Sequence, residues 1–533
     1  MNYKPRNSRW YNGWVKKLLY VAVFFAGMTT LAVEFTASRL LGNYFGTSNL
    51  VWASIIGLIL IYLTLGYFIG GIWADRSPEF RTFFRILLWA GFSIGLIPLI
   101  SRPVLRFAAL AFDQFQFGVL IGSFVVVMIL FSIPVTLLGT TSPFAIRLGI
   151  KDTSEAGGLS GRIYATSTLG SFIGASLPVL VLIPTIGTYR TFLVFSLLLV
   201  ILAIFGLWKT VGRRSAVIYV WMPIILVILM FLGVRGFDKS SMGLIYETES
   251  AYNYIQVQEV DGYRFLRLNE GQGVHSIWHP SEFFYGGPWE QVLAGPFFNS
   301  PGVDPAGIKD MAIIGLAAGT TARQAATVFP DIRVDGFEID PKIIEVGRQY
   351  FGMDIPQLTA FAQDGRLGLA GSGRKYQLIS VDAYRPPYIP AHLTTLEFFQ
   401  TVYNHLTPDG VMVINVGRAP SDRQLVDALY STITQVFPSV YISDLPLSFN
   451  TLIYATKAPT SVSNLAANID ILEQRGNPPP LLMKALYIAF KNLQPSPQVD
   501  TNQVFTDDKS PVEWITNNMI LRFLVSDQIE ELQ

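Results

Sequence analysis

Two rhythms of apolar residues divide this chain. Over its first half, apolar runs of membrane-spanning length, about 20 residues each, recur with short polar breaks. They fall at 18–40, 50–73, 84–101, 117–139, 162–184, 190–208 and 216–234. They predict about seven helices crossing a lipid bilayer. The first run is too long, and too closely followed by others, to be a cleaved signal peptide. From Gly243 the period shortens to two. Tyr254–Val260, the turn pair Asp261-Gly262 and Tyr263–Leu268 predict a β-hairpin, and a tract rich in proline and glycine follows at 286–305. Beyond it, strands expected at 311–315, 334–338, 358–363, 376–381, 410–416, 440–445 and 452–456 alternate with helical stretches, among them 342–350, 396–406 and 422–437. That alternation predicts a mainly parallel sheet covered on both faces. The chain after Lys457 reads as helical, with residues 506–508 as a helix cap or turn.

The predicted organisation is a polytopic helical domain (1–238), a β-hairpin subdomain (239–306), a Rossmann-like nucleoside-binding domain (307–460) and a helical extension (461–533). The chain of 533 residues is 51% apolar and only 14% charged, and the apolar excess lies almost wholly before Gly236. A net charge of +1 gives no basic stripe for nucleic acid. With no cysteine, disulfides, thiolate metal sites and cysteine nucleophiles are excluded. Of four histidines only His275 and His279 are close in sequence, and two ordinary loop residues explain them better than a metal site.

Basic residues cluster before the first span (Lys4, Arg6, Arg9, Lys16, Lys17) and after the second (Arg76, Arg81, Arg85), fourth (Arg147, Lys151, Arg162) and sixth (Lys209, Arg213, Arg214), while the intervening loops carry fewer, such as Arg102, Arg106 and Arg190. The positive-inside rule then puts the N-terminus in the cytoplasm. Seven spans from that start would put the C-terminal domain outside; a miscount by one would reverse its side. Glu34 and Arg39 fall within or beside the first span, where charge invites a functional role. The alternative pairs Glu34 inside the bundle and lets Arg39 snorkel to the interface. Small residues at 66–71 and 170–176 predict close helix packing.

The chemistry concentrates between 311 and 416. An apolar strand breaks into the small-residue turn 315–319, and a second strand ends on Glu338. Gly315 and Gly319 would let backbone approach a ligand, and a carboxylate about twenty residues on can accept hydrogen bonds from both ribose hydroxyls. Asp364 and Asp382 end the next two strands, on the same edge of the predicted sheet.

On these residues the C-terminal half resembles spermidine synthases, the aminopropyltransferases built on the class I methyltransferase fold. The matching features are the hairpin preface, the turn 315–319, Glu338 to Pro341, Gln363-Asp364-Gly365, Asp382, Pro390-Ala391 leading to Glu397-Phe398-Phe399, and the strand after 406–410. The N-terminal half is similar to the membrane region of fused bacterial spermidine-synthase-like proteins through Glu34, residues 38–42, Asp75-Arg76 and Gly170. The resemblance implies that Glu338 holds the ribose and Asp364 the adenine end of decarboxylated S-adenosylmethionine or S-adenosylmethionine. Either is a co-substrate rather than a tightly bound cofactor. Asp382 would take or orient the proton of an amine acceptor, with Gln272, Trp289 beside Glu290, Tyr384 and Arg385 on the acceptor side. Two departures stand out: the family's acid in the glycine turn is Ala318 here, and a second acid after the base is Arg385.

Three functions are therefore weighed: a membrane-bound aminopropyltransferase-like enzyme, an inactive family domain used for binding or assembly, and small-metabolite transport by the helices. The expected partners are the bilayer of the cell's inner or plasma membrane and a small amine or other acceptor, with a homo-oligomer or membrane complex as further settings.

Overall fold

The computed structural model describes residues 13–45, 49–113, 118–150, 154, 156–232, 242–269, 273–384 and 388–525. Two compact units result: Met1–Ser240 with Glu249–Tyr254, and Ser241–Thr248 with Ile255–Gln533.

The first unit is helical: α1 (Gly13–Phe45), α2 (Asn49–Arg76), α3 (Phe80–Asp113), α4 (Gly118–Gly139), α5 (Thr141–Gly149), α6 (Ala156–Leu177), α7 (Ile183–Ile186), α8 (Thr188–Thr210), α9 (Arg213–Val217) and α10 (Trp221–Phe231). Among the described residues seven segments are long and apolar enough to cross a membrane, from Trp14–Asn43 to Arg213–Phe231. The third outruns its expected end because α3 continues through Pro98 and Pro103; proline is tolerated inside a spanning helix where neighbouring helices and local adjustments satisfy the carbonyls it frees. The fifth begins earlier than expected, at Ala156.

The small residues do what their spacing predicts. A Cβ at Gly170 would lie 2.0 Å from the Phe24 carbonyl and one at Gly174 1.9 Å from that of Met28, so α1 and α6 meet backbone to backbone. Asp75 at the end of α2 pairs with Arg147 on α5 at 2.9 Å. Arg39 donates to the carbonyls of Ser250 (2.6 Å) and Tyr252 (3.0 Å). Glu249 accepts from Asn43 (2.7 Å) and from the Thr188 backbone N–H (2.8 Å). A carboxylate at the start of α8 satisfies a donor that the helix cannot pair internally.

The second unit holds two sheets. The smaller is β1 (Leu244–Glu249), β2 (Tyr254–Val260), β3 (Tyr263–Leu268) and β4 (Val274–Trp278), in that order. Its central hairpin is the expected one: Asp261 (φ 52°) and Gly262 (φ 84°) make a turn with two left-handed residues, whose twist matches the strands. The flanking strands β1 and β4 make the subdomain larger than the predicted hairpin.

The larger sheet comprises β5 (Asp310–Ile314), β6 (Arg333–Glu338), β7 (Leu358–Ala362), β8 (Tyr376–Val381), β9 (Leu406–Gly417), β10 (Ser439–Asp444), β11 (Asn450–Thr456) and β12 (Leu493–Gln494), ordered β12-β10-β11-β9-β8-β5-β6-β7. The five strands from β7 to β9 run parallel, whereas the pairings β9–β11, β11–β10 and β10–β12 are antiparallel. The sheet is mainly parallel, as expected, with a mixed end: its antiparallel pairings lie beyond β9, where β10 and β11 are joined directly as a hairpin instead of through a helix.

Its helices are α11 (Pro288–Gln291), α12 (Thr320–Val328), α13 (Pro341–Tyr350), α14 (Gly365–Gly371), α15 (Leu396–His405), α16 (Gln424–Ile433), α17 (Ser463–Gln474), α18 (Pro480–Lys491) and α19 (Val512–Val525). Strand alternation feeds two cores. Met311, Ile313, Val411 and Val413 enter one, while Ala312, Ile314, Met412 and Ile414 enter the other. Residues 506–508 do not cap a helix. Thr506 and Lys509 close a tight turn through reciprocal backbone hydrogen bonds of 3.0 Å.

Candidate active site

The carboxyl ends of β7, β6, β5 and β8 form one rim, where an open α/β sheet offers ligands its loops and helix N-termini. β5 runs into the turn 315–319, where Gly315 (φ 86°), Ala317 (φ 47°) and Gly319 (φ 83°) are all left-handed. Gly315 is also sterically required. A Cβ there would sit 2.5 Å from the Asp382 carbonyl and 2.6 Å from the Ala383 Cα, so this turn and the β8 loop touch. The turn is fixed from two further sides: Gly315 N–H donates to the Phe337 carbonyl (3.0 Å) and Ala318 N–H to Ser276 Oγ on β4 (2.9 Å).

Glu338 ends β6 beneath this turn. Its carboxylate accepts from Ala317 N–H (2.9 Å) and Asp340 N–H (3.1 Å). The side chain is buried, and loss of water pushes its acid up to about 7 against the lowering effect of those amides. Asp364, two residues beyond β7, caps α14 by accepting from Arg366 and Leu367 N–H at 3.0 Å each, and its second oxygen meets His392 Nε2 at 2.9 Å. Arg366 in turn grips Asp507 through two 2.7 Å bonds, which hold that carboxyl down to about 2. Beside the two rim acids, Ile339 (43% exposed) and Leu367 (66%) leave apolar side chains in the open. A flat ring could cover such surface at little desolvation cost.

Asp382 is placed differently. Its backbone N–H donates to the Ile314 carbonyl (2.9 Å), which stitches β8 to β5. Its carboxylate accepts one described hydrogen bond, from Asn415 Nδ2 at 2.9 Å, and desolvation pushes it up to about 6. Tyr384 braces the same corner: its hydroxyl donates to the Asn415 carbonyl (3.1 Å) and accepts from Gly417 N–H (2.7 Å). Burial drives that phenol far above its ordinary value. The Asn415 Oδ1 is buried without a partner among the described residues.

The structure thus ties Gly315, Gly319, Glu338, Asp364, Asp382 and Tyr384 to one rim. Trp289 is buried on α11, and Glu290 beside it accepts from Gly287 N–H (3.0 Å) and Gln324 Nε2 (3.0 Å). No described hydrogen bond joins Trp289 to the rim. Gln272 and Arg385 lie outside the described residues. Ala318, the first departure from the family pattern, is 1% exposed and packs among Ile255, Val257, Ile343 and Phe351. Its side chain therefore joins an apolar core. Four rim residues escaped the sequence reading: Ile339, Leu367, His392 and Asn415. Asn415 alone left a signal, as the one polar residue within the apolar run 411–416.

A Rossmann-like α/β domain of the methyltransferase type is what this sheet defines. Residues 297–464 match the family described as Spermine/spermidine synthase domain, and the chain carries such a domain. It is 33% identical over 296 residues to a probable polyamine aminopropyl transferase of Bifidobacterium longum, covering 52% of this chain and 64% of that protein. It thus spans less than two thirds of that relative. A polyamine aminopropyltransferase of Vibrio vulnificus is 29% identical over 234 residues, 42% of this chain and 75% of that one. Among solved structures, spermidine synthase from Thermotoga maritima aligns at 20% identity and a TM-score of 0.38, over 46% of this chain and 84% of its own.

Proposed function

We propose that this is an integral membrane, spermidine-synthase-like transferase that binds an S-adenosyl donor on the rim and transfers its aminopropyl group to an amine. The supporting observation is Asp382: a recessed carboxyl with an acid constant near neutrality, backed against the glycine turn. Such a group can hold or accept a proton at working pH. In this reading Gly315 and Gly319 admit the donor's backbone-close parts, Glu338 accepts from the ribose hydroxyls, and Asp364 faces the adenine end. The amine lone pair attacks the methylene beside the sulfonium. The carbon–nitrogen bond forms as the carbon–sulfur bond breaks, the sulfur leaves as neutral methylthioadenosine, and the proton shed by nitrogen passes to Asp382. Trp289, Gln272, Tyr384 and Arg385 are assigned to the acceptor side; with an arginine there, the acceptor carries less positive charge than a polyamine.

Residues 1–238 are read as the membrane domain, 239–306 as the small sheet's subdomain, 307–460 as the nucleoside domain and 461–533 as its extension. From a cytoplasmic N-terminus an odd number of spans would carry the transferase domain to the opposite face and an even number would return it. The test uses full-length protein in detergent with decarboxylated S-adenosylmethionine and a panel of amines, read by mass spectrometry. Methylthioadenosine should appear with a matching aminopropylated product, and neither should form with Asp382→Asn. Equal turnover by that variant would sink the mechanism. Because the chain has no cysteine, single cysteines introduced in the exposed 506–509 turn can be labelled in intact vesicles to find its side.

A further inference from the structure

The extension beyond the matched family domain and Gln424 of that domain together line a cavity of about 370 Å³, within the range of small-ligand sites. Its wall combines Lys509 and Arg522 with the indole of Trp514 and the amides of Gln424, Asn502 and Gln503. Phe505 and Ile515, both nearly inaccessible, contribute an apolar floor. Among the described residues no carboxylate lines it. Two acids that bond to its lining residues are engaged by them: Asp422 by Arg522 (3.5 Å) and by Gln424 N–H (3.0 Å), and Asp500 by Asn502 N–H (3.0 Å) and Gln503 Nε2 (2.9 Å). The Lys509 ammonium has no partner among the described residues, while Trp514 stands 66% exposed.

A cationic wall, an open aromatic face and several amide groups in one concavity fit a particular chemistry. The ring supplies a stacking platform, the ammonium and guanidinium take an oxyanion, and the amides read a polar edge. We propose that this cavity binds a mononucleotide, with its base against Trp514 and its phosphate between Lys509 and Arg522. It is separate from the nucleoside rim, which is built from Glu338 and the glycine turn. The two are linked through the fold all the same, since the turn that carries Lys509 also carries Asp507, the partner of Arg366 on α14.

Calorimetric titration of the full-length protein in detergent tests this with adenosine diphosphate, adenosine and inorganic phosphate as probes. Adenosine diphosphate should bind more tightly than either fragment. Lys509→Gln, Arg522→Gln and Trp514→Ala should each weaken it by about tenfold. All three residues are solvent-exposed, so thermal melts should show these variants folded. Glu338→Ala should leave the affinity within about twofold, because sites with no shared partner behave independently. Absence of binding at millimolar adenosine diphosphate, indifference to Lys509→Gln and Trp514→Ala, or loss of binding in Glu338→Ala would each overturn the proposal.

Discussion

The two sides of the rim treat their carboxylates in opposite ways. On the β6–β7 side, Glu338 and Asp364 each accept two backbone N–H groups, and Asp364 also meets His392. On the β8–β9 side, Asp382 has one described side-chain donor, Asn415. Backbone amides hold an acceptor in a fixed place and leave it lone pairs for a ligand. Burial raises the proton affinity of Glu338 and Asp382 alike, but only Asp382 has its lone pairs largely uncommitted to fixed backbone donors. The first arrangement suits holding a nucleoside, the second suits moving a proton.

Breaking the proton-handling side should give the largest effect. Asp382→Asn is expected to lower transfer by about 100-fold or more, measured as product formation under saturating donor. The same variant should be more stable above pH 7. The Asp382 acid rises from 3.8 to about 6 in the fold, so the folded state is penalised once the group ionises, and the amide removes that penalty. Each tenfold rise in proton affinity on folding corresponds to about 1.4 kcal/mol of that gain. The gain should vanish below about pH 4, where both states are protonated. A destabilised Asp382→Asn at pH 8 would refute this account.

Gly315→Ala presses on the junction between the two sides. Its methyl would overlap the β8 loop at 2.5 Å in a left-handed conformation, so a loss of about 1–3 kcal/mol is expected in denaturant melts. Next comes Glu338→Gln, which should weaken methylthioadenosine binding by about tenfold at pH 8. In the native protein affinity should fall as pH drops through about 7, where Glu338 takes up its proton; the glutamine variant should lose that dependence. Asn415→Leu should shift the acid limb of the rate profile upward, since the Asn415 hydrogen bond holds Asp382 lower than burial alone would. The smallest effect belongs to Asp507→Asn. Its exposed pairing with Arg366 is worth no more than about 1 kcal/mol, visible only in precise thermal melts.

The long apolar runs and the period-two hairpin were readable because each repeats one signal many times. The same holds for the acids at strand ends, whose positions follow from strand length alone. Strand β4 was not legible: five residues with a histidine and a serine carry too little alternation, yet its Ser276 anchors the glycine turn. The antiparallel end of the sheet was hidden because β10 and β11 look like the parallel strands before them. Asn415 and His392 owe their place to pairing across β8–β9 and to the 390–393 turn. Those are contacts between distant parts of the chain, which local patterns do not encode. The four-residue helix that buries Trp289 was equally hidden, since so short a segment carries no periodicity of its own.

The six residues Glu249–Tyr254 have a practical consequence. They interrupt the run of the small sheet, yet their polar groups are satisfied by Arg39, Asn43 and Thr188 of the helices. A truncated version starting near residue 241 would keep the candidate rim but strand the Glu249 carboxylate and the Ser250 and Tyr252 carbonyls that the helices now serve. Excision would thus fray the stretch that feeds the first two strands, and a weak or inactive fragment would say little about the intact protein.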